Sequence, residues 1–142
     1  MPFVNATSNA AGVNSAIGYI PSALLSGKAR VAMAEFTCAS DAQGTYTVPI
    51  VLPRGARVLT MFLNASATMG ASATIAIGIA GATGKYRAAA TYTSADTLTL
   101  VSLNAATGVV LTAAEQILMT VGAAALPSSG RLLIGFVYVI ES

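Results

Sequence analysis

From residue 30 onward, apolar side chains recur at every second position in short runs, the spacing of a strand with one buried face. In residues 45–52, Tyr46, Val48, Ile50 and Leu52 share one face, and Thr45, Thr47, Pro49 and Val51 share the other. Pro49 has no amide for a ladder bond, which predicts an edge strand or a bulge at that point. Residues 72–79 repeat the pattern, with Ile75, Ile77 and Ile79 opposite Thr74, Ala76 and Gly78. In residues 85–92, Tyr86, Ala88, Ala90 and Tyr92 oppose Lys85, Arg87 and Thr91, so charge falls only on the outward face. Residues 97–103 set Leu98 and Leu100 against Thr97 and Thr99, and residues 116–122 group Ile117, Met119 and Val121.

Three further runs, 31–38, 57–64 and 131–140, are apolar on both faces. In the last, Leu133, Val137 and Val139 oppose Leu132, Ile134, Phe136, Tyr138 and Ile140. Such strands are expected to be covered on both sides. A two-sheet sandwich made from one short chain has no cover for its outer face, so the N-terminal segment or a second subunit has to supply it. Oligomerisation is the simpler expectation. Residues 109–112 form a weaker ninth run.

Clusters of Gly, Pro, Asn, Asp and Ser separate the runs at residues 41–44, 52–55, 69–70, 81–84, 94–96, 104–108 and 127–130. Proline second and glycine fourth in residues 52–55 suit a type I turn. Successive runs lie roughly 8 to 14 residues apart, typical of a sandwich, and no amphipathic helix is long enough for a βαβ unit. The expected fold is therefore all-β: a two-sheet antiparallel β-sandwich or jelly roll of eight to nine strands over residues 30–142. Residues 1–29 read differently, as an extended N-terminal arm. Residues 1–27 carry no charge, and the apolar anchors Phe3, Val4, Val13, Ile17, Tyr19 and Ile20 follow neither period. A purely disordered tail would be more charged, so these anchors are candidate contacts to a partner or sister subunit.

Composition narrows the chemistry. The chain has 142 residues, 55% hydrophobic and 8% charged, enough for one domain that buries roughly two thirds of its unfolded surface without staples. The mean hydropathy of +0.73 and an uncharged stretch at residues 58–84 raise the possibility of a membrane span. Asn64, Ser66, Thr68, Gly70, Ser72 and Thr74 interrupt that stretch, which argues against a transmembrane helix. The N-terminus has no basic residue before Lys28 and no unbroken apolar core, so it does not read as a secretory signal. The one cysteine, Cys38, reads as a small buried hydrophobe.

Catalytic and cofactor chemistry has little to work with. There is no histidine, hence neither the usual neutral-range base nor the usual zinc ligand. The carboxylates Glu35, Asp41, Asp96, Glu115 and Glu141 are scattered, mostly at expected turns, and read as solvated charges. Residues 81–86, Gly-Ala-Thr-Gly-Lys-Tyr, lack the first glycine and the hydroxyl of a phosphate loop and read as a turn. No cofactor, metal or catalytic residue is expected. The seven basic residues are spread out and not interleaved with aromatics, so neither nucleic acid nor membrane is an expected partner. Arg54 and Arg57 flank one turn and are the remaining candidates for contact with a partner.

The segment Leu52-Pro53-Arg54-Gly55-Ala56-Arg57-Val58, followed by Gly70-Ala71-Ser72 and Thr74 to Gly78, resembles small structural proteins of tailed bacteriophages. The closing Leu126-Pro127-Ser128-Ser129-Gly130-Arg131-Leu132 and Val137-Tyr138-Val139 are similar to the final strand of that group. The likeness spans residues 45–140 and rests on turn and packing residues. It implies a β-sandwich or jelly-roll subunit of a virion: a capsid decoration or cement protein, made in the host cytoplasm, that binds the outer face of the capsid. The implied partners are the major capsid protein and further copies of the chain, as a dimer or trimer. A tail, head-fibre or baseplate component is the nearest alternative. A carbohydrate-binding sandwich would want exposed tryptophan, which is absent, and an outer-membrane barrel would want strands of about 9 to 11 residues.

Overall fold

The computed structural model describes residues 29–101 and 106–140, so residues 1–28 of the expected arm lie outside the described residues. Eight strands follow in chain order: β1 (Arg30–Thr37), β2 (Gly44–Leu52), β3 (Ala56–Ala65), β4 (Thr74–Ile79), β5 (Ala82–Thr91), β6 (Thr99–Leu100), β7 (Glu115–Gly122) and β8 (Arg131–Ile140). There is no helix among the described residues, and so none long and apolar enough to cross a membrane.

The strands form two four-stranded antiparallel sheets, ordered β1-β8-β3-β6 (sheet A) and β2-β7-β4-β5 (sheet B). Four of the pairs, β1 with β8, β2 with β7, β3 with β6 and β4 with β5, are those of one long hairpin bent between β4 and β5. Rolling that hairpin up adds the pairs β3 with β8 and β4 with β7, which is the jelly-roll order. The all-β sandwich read from the sequence is the fold observed.

Alternating side chains meet between the sheets. Leu63, Leu132, Ile134 and Phe136 of sheet A face Ile75, Ile77, Ile117 and Met119 of sheet B, all 0–1% exposed. Tyr86 of β5 meets Phe136 of β8 edge to face across the gap, ring centroids 5.2 Å apart, a favoured aromatic arrangement. Cys38 is buried with its Sγ 3.6 Å from Met69 Sδ, and burial first, then Asp41, pushes its thiol pKa up. It is an unreactive packing residue.

Several local expectations are corrected. The type I turn at residues 52–55 is displaced by one: Ala56 N donates to Pro53 O at 3.1 Å. Gly55 therefore occupies the third position, with φ of 88°, the positive value that a type II turn requires. The turn expected at residues 81–84 lies at Ala80 and Gly81, because Ile79 already pairs with Ala82. The ninth run, 109–112, contributes one bridge, Val110 to Arg57, and no strand.

In β5 the expected alternation fails at Ala88 and Ala90, which are exposed. The register advances two residues on β4, from Ile75 to Ile77, but three on β5, from Ala90 to Arg87. The extra residue makes a bulge on this edge strand, where Ala90 stays exposed although it lies opposite the core residue Ile75. Arg87 is not a free outward charge either. Its Nη1 donates to the carbonyl oxygens of Ile75 and Ala90, and its Nη2 to that of Thr91. Pro49 sits as expected, on an edge strand inside a register shift between Thr47 and Val51. There Gln116 Nε2 reaches the freed carbonyls of Val48 and Ile50, at 2.5 and 3.1 Å.

Candidate functional site

The three runs that read as apolar on both faces, β1, β8 and β3, are neighbours in sheet A. Their inward side chains make half the core, and the register aligns their outward side chains in rows. Val31, Val137 and Thr60 form one row, and Met33, Gly135, Phe62 and Leu100 form the next, crossing all four strands. A Cβ on Gly135 would lie 2.1 Å from Phe62 Cζ, so the ring rests over β8 in the space a side chain would fill. Val31, Met33 and Leu100 are 55%, 59% and 64% exposed, and Leu59 beside the rows is 41% exposed. These two rows carry no charge. Glu35, Asn64, Ser66, Asp96, Arg131 and Leu133 line a shallow cavity of about 170 Å³, with Arg131 Nη1 3.5 Å from Glu35 Oε2.

The opposite outer face, on sheet B, differs in kind. Thr45 pairs with Thr120 there, their hydroxyls 3.3 Å apart, and Thr47 and Thr74 continue the polar character. Threonine keeps strand geometry while remaining soluble. Sheet B thus mixes threonines with apolar side chains such as Val51, 57% exposed, whereas the central rows of sheet A are apolar almost throughout.

Two carboxylates meet at the charged end. Glu35 and Asp96 share the cavity, but Glu35 pairs with Arg131 and both flanking side chains are half exposed or more. A glycosidase-type pair needs one carboxyl held in apolar surroundings, opposite a second one free to act. An open polar cavity containing an arginine provides neither. Among the described residues no three His, Cys, Asp or Glu side chains gather as metal ligands.

The sequence-derived contact residues divide. Phe3, Val4, Val13, Ile17, Tyr19 and Ile20 lie outside the described residues. Arg54 is exposed in its turn. Arg57 is half-buried, and its Nη1 donates to Gly108 O at 2.5 Å, so it ties β3 to the loop ahead of Val110. Both arginines lie at the end of sheet A where β1 begins, since Arg30 and Val58 both pair with Tyr138. Residue 29, where the described chain begins, therefore lies toward the Arg54 end, opposite the Glu35 and Arg131 cavity.

Sequence reading missed the part played by Leu98 and Leu100. Here Thr99 turns inward: the hydroxyl of Tyr92, itself buried, lies 3.1 Å from the carbonyl oxygens of Leu63 and Thr97 and from Thr99 Oγ1. Satisfying that hydroxyl turns the polar side of β6 in and leaves both leucines out, 59% and 64% exposed. The signal was present in Tyr92, a buried tyrosine that needs partners.

Glu115 was read as a solvated turn charge, yet it opens β7 with its side chain only 13% exposed. Lys85 Nζ donates to its Oε2 and Tyr86 Oη to its Oε1, the latter at 2.5 Å. Burial, reinforced by this carboxylate, pushes the Tyr86 phenol well above the ordinary tyrosine range. In the unfolded chain the phenol ionises near pH 10, whereas the folded chain keeps its proton, so stability falls as pH rises past about 10. Urea midpoints measured from pH 8 to 11 are expected to hold steady and then drop, with a shallower drop for Tyr86→Phe.

No protein-family model and no curated protein matches this chain. Solved structures do. A chain of the Cyanophage Pam1 capsid asymmetric unit superposes with a TM-score of 0.63 at 21% identity, covering 80% of this chain and 85% of that one. A chain in the acidic stable capsid structure of Helicobacter pylori bacteriophage KHP30 gives 0.59 at 18% identity, covering 80% and 89%. One in the capsid of Ralstonia phage GP4 gives 0.62 at 18% identity, covering 82% and 86%. The fold is thus one that chains in phage capsid structures share.

Proposed function

We propose that this protein is a non-enzymatic structural protein of a phage virion, and within that class a capsid decoration or cement protein. The observation that carries the reading is the likeness in fold to chains of three phage capsid structures, each over 80% or more of this chain. In it, the protein sits on the outer surface of the shell, contacts the major capsid protein, and stabilises the joints between its subunits. The arm, with Phe3 and Val4 at its far end, and the turn carrying Arg54 are the contacts to the shell. Further copies of the chain assemble beside it as a dimer or trimer, so that individually weak contacts add through multivalency. Neither nucleic acid nor membrane is a partner.

The test is the copy number of this chain relative to the major capsid protein, measured by quantitative mass spectrometry on gradient-purified particles. A ratio near one, or a simple fraction maintained over the whole shell, is expected. A handful of copies per particle would instead make it a tail, head-fibre or baseplate component, and complete absence would end the virion reading.

A further inference from the structure

We propose that residues 13–25 of the same chain pack over the outer face of sheet A, with Val13, Ile17, Tyr19, Ile20, Leu24 and Leu25 covering the Met33, Phe62 and Leu100 row. The inference stands whether or not the protein belongs to a virion.

Position comes first. The stretch precedes β1 directly, and Val31, the second residue of β1, already points out of the face at the end where the chain enters. Gly27 permits the reversal that would bring the chain back over the sheet. Reach is ample. Extended chain rises about 3.3 Å per residue, so residue 13 can lie up to roughly 55 Å from residue 30. The face is roughly 19 Å across its four strands, spaced about 4.8 Å apart, and roughly 33 Å along the ten-residue β3 and β8, with the two-residue β6 at one edge.

Charge complementarity then selects the occupant. Residues 1–27 contain no charged residue, and neither do the Val31 and Met33 rows. An ordinary soluble surface carries charge at about a quarter to a third of its positions, and some of these would be stranded on such a face. A second copy could offer the same rows, but it has to supply a whole interface, roughly 800 Å² per partner, from free solution. A tethered segment needs no such area, because its effective concentration is already on the order of millimolar. Residues 1–12, with Phe3 and Val4, remain free for the shell contacts proposed above.

The test uses the full-length chain with p-benzoylphenylalanine in place of Met33 and, separately, of Leu100. Each variant is prepared with natural and with ¹⁵N isotopes, mixed in equal amounts, irradiated and mapped by mass spectrometry. The expected result is adducts between the photoprobe and residues 13–25, each wholly light or wholly heavy. Mixed light and heavy adducts would overturn the inference by making a second copy the occupant, whether through its arm or its body. An absence of adducts to residues 13–25 from both positions would overturn it as well. Far-ultraviolet circular dichroism checks folding, and the Leu100 position, 64% exposed, serves if the Met33 variant does not fold.

Discussion

Gly78→Ala will destabilise the fold by about 3 kcal/mol or more, among the largest effects expected of any single methyl group in this chain. Gly78 lies on β4, where the β4–β5 ladder is irregular. A Cβ there would stand 2.2 Å from Ala82 O and 2.6 Å from the carbonyl carbon and oxygen of Thr83. All three atoms are backbone, so no side chain can swing away. Relief requires β5 to move off β4, and β5 carries Tyr86 into the core against Phe136. Two comparison sites separate steric from conformational cost. Gly81→Ala meets nothing within 4 Å but has a φ of 82°, so its cost is strain alone, about 1 kcal/mol. Gly135→Ala meets only the far end of the Phe62 ring, which can rotate outward, so it should fall below Gly78→Ala as well. Urea unfolding followed by circular dichroism measures all three, and the expected order is Gly78 well above the other two.

The second large effect is expected at Glu115. Glu115→Ala leaves the Lys85 ammonium, with its side chain 25% exposed, and the Tyr86 hydroxyl without their shared acceptor. Removing one member of a mostly buried pair leaves an uncompensated charge, so a loss of about 3 kcal/mol is expected. Glu115→Gln retains an oxygen for Tyr86 and removes only the charge, for which about 1 to 2 kcal/mol is the expected loss. Lys85→Met separates the contributions: in the double variant with Glu115→Ala the losses should not add, because each single change strands the other partner. Additive losses in urea titrations would mean that the pair is uncoupled.

How far the fold could be read in advance depended on the range of the cause. Period-two alternation is a local property, and it located β2, β4 and β7 to within a residue or two because one strand face meets the core irrespective of its neighbour. It failed where a bulge intervened. Ala88 and Ala90 alternate correctly with Tyr86 and Tyr92 in the chain, yet on this bulged edge strand both are exposed. The partners of Lys85, Arg87 and Glu115 were equally out of view. Ion pairing between Lys85 and Glu115 spans thirty residues, and Arg87 is held by carbonyls that only the bulge sets free.

The candidate site shows the same division. That β1, β3 and β8 are apolar on both faces is written in their residue order. That they lie side by side, so that Met33, Phe62 over Gly135, and Leu100 form one band, follows from strand pairings across as many as a hundred residues. By itself the sequence determined the all-β class, the strand positions, the buried thiol of Cys38 and an excess of apolar surface, because each depends on neighbours along the chain. The jelly-roll order, the β5 bulge, the buried Glu115 cluster and the placing of that surface on one sheet were decided only by the tertiary structure. Those features depend on which strands meet, and many pairings of eight short strands satisfy the same local alternation until the whole core is packed at once.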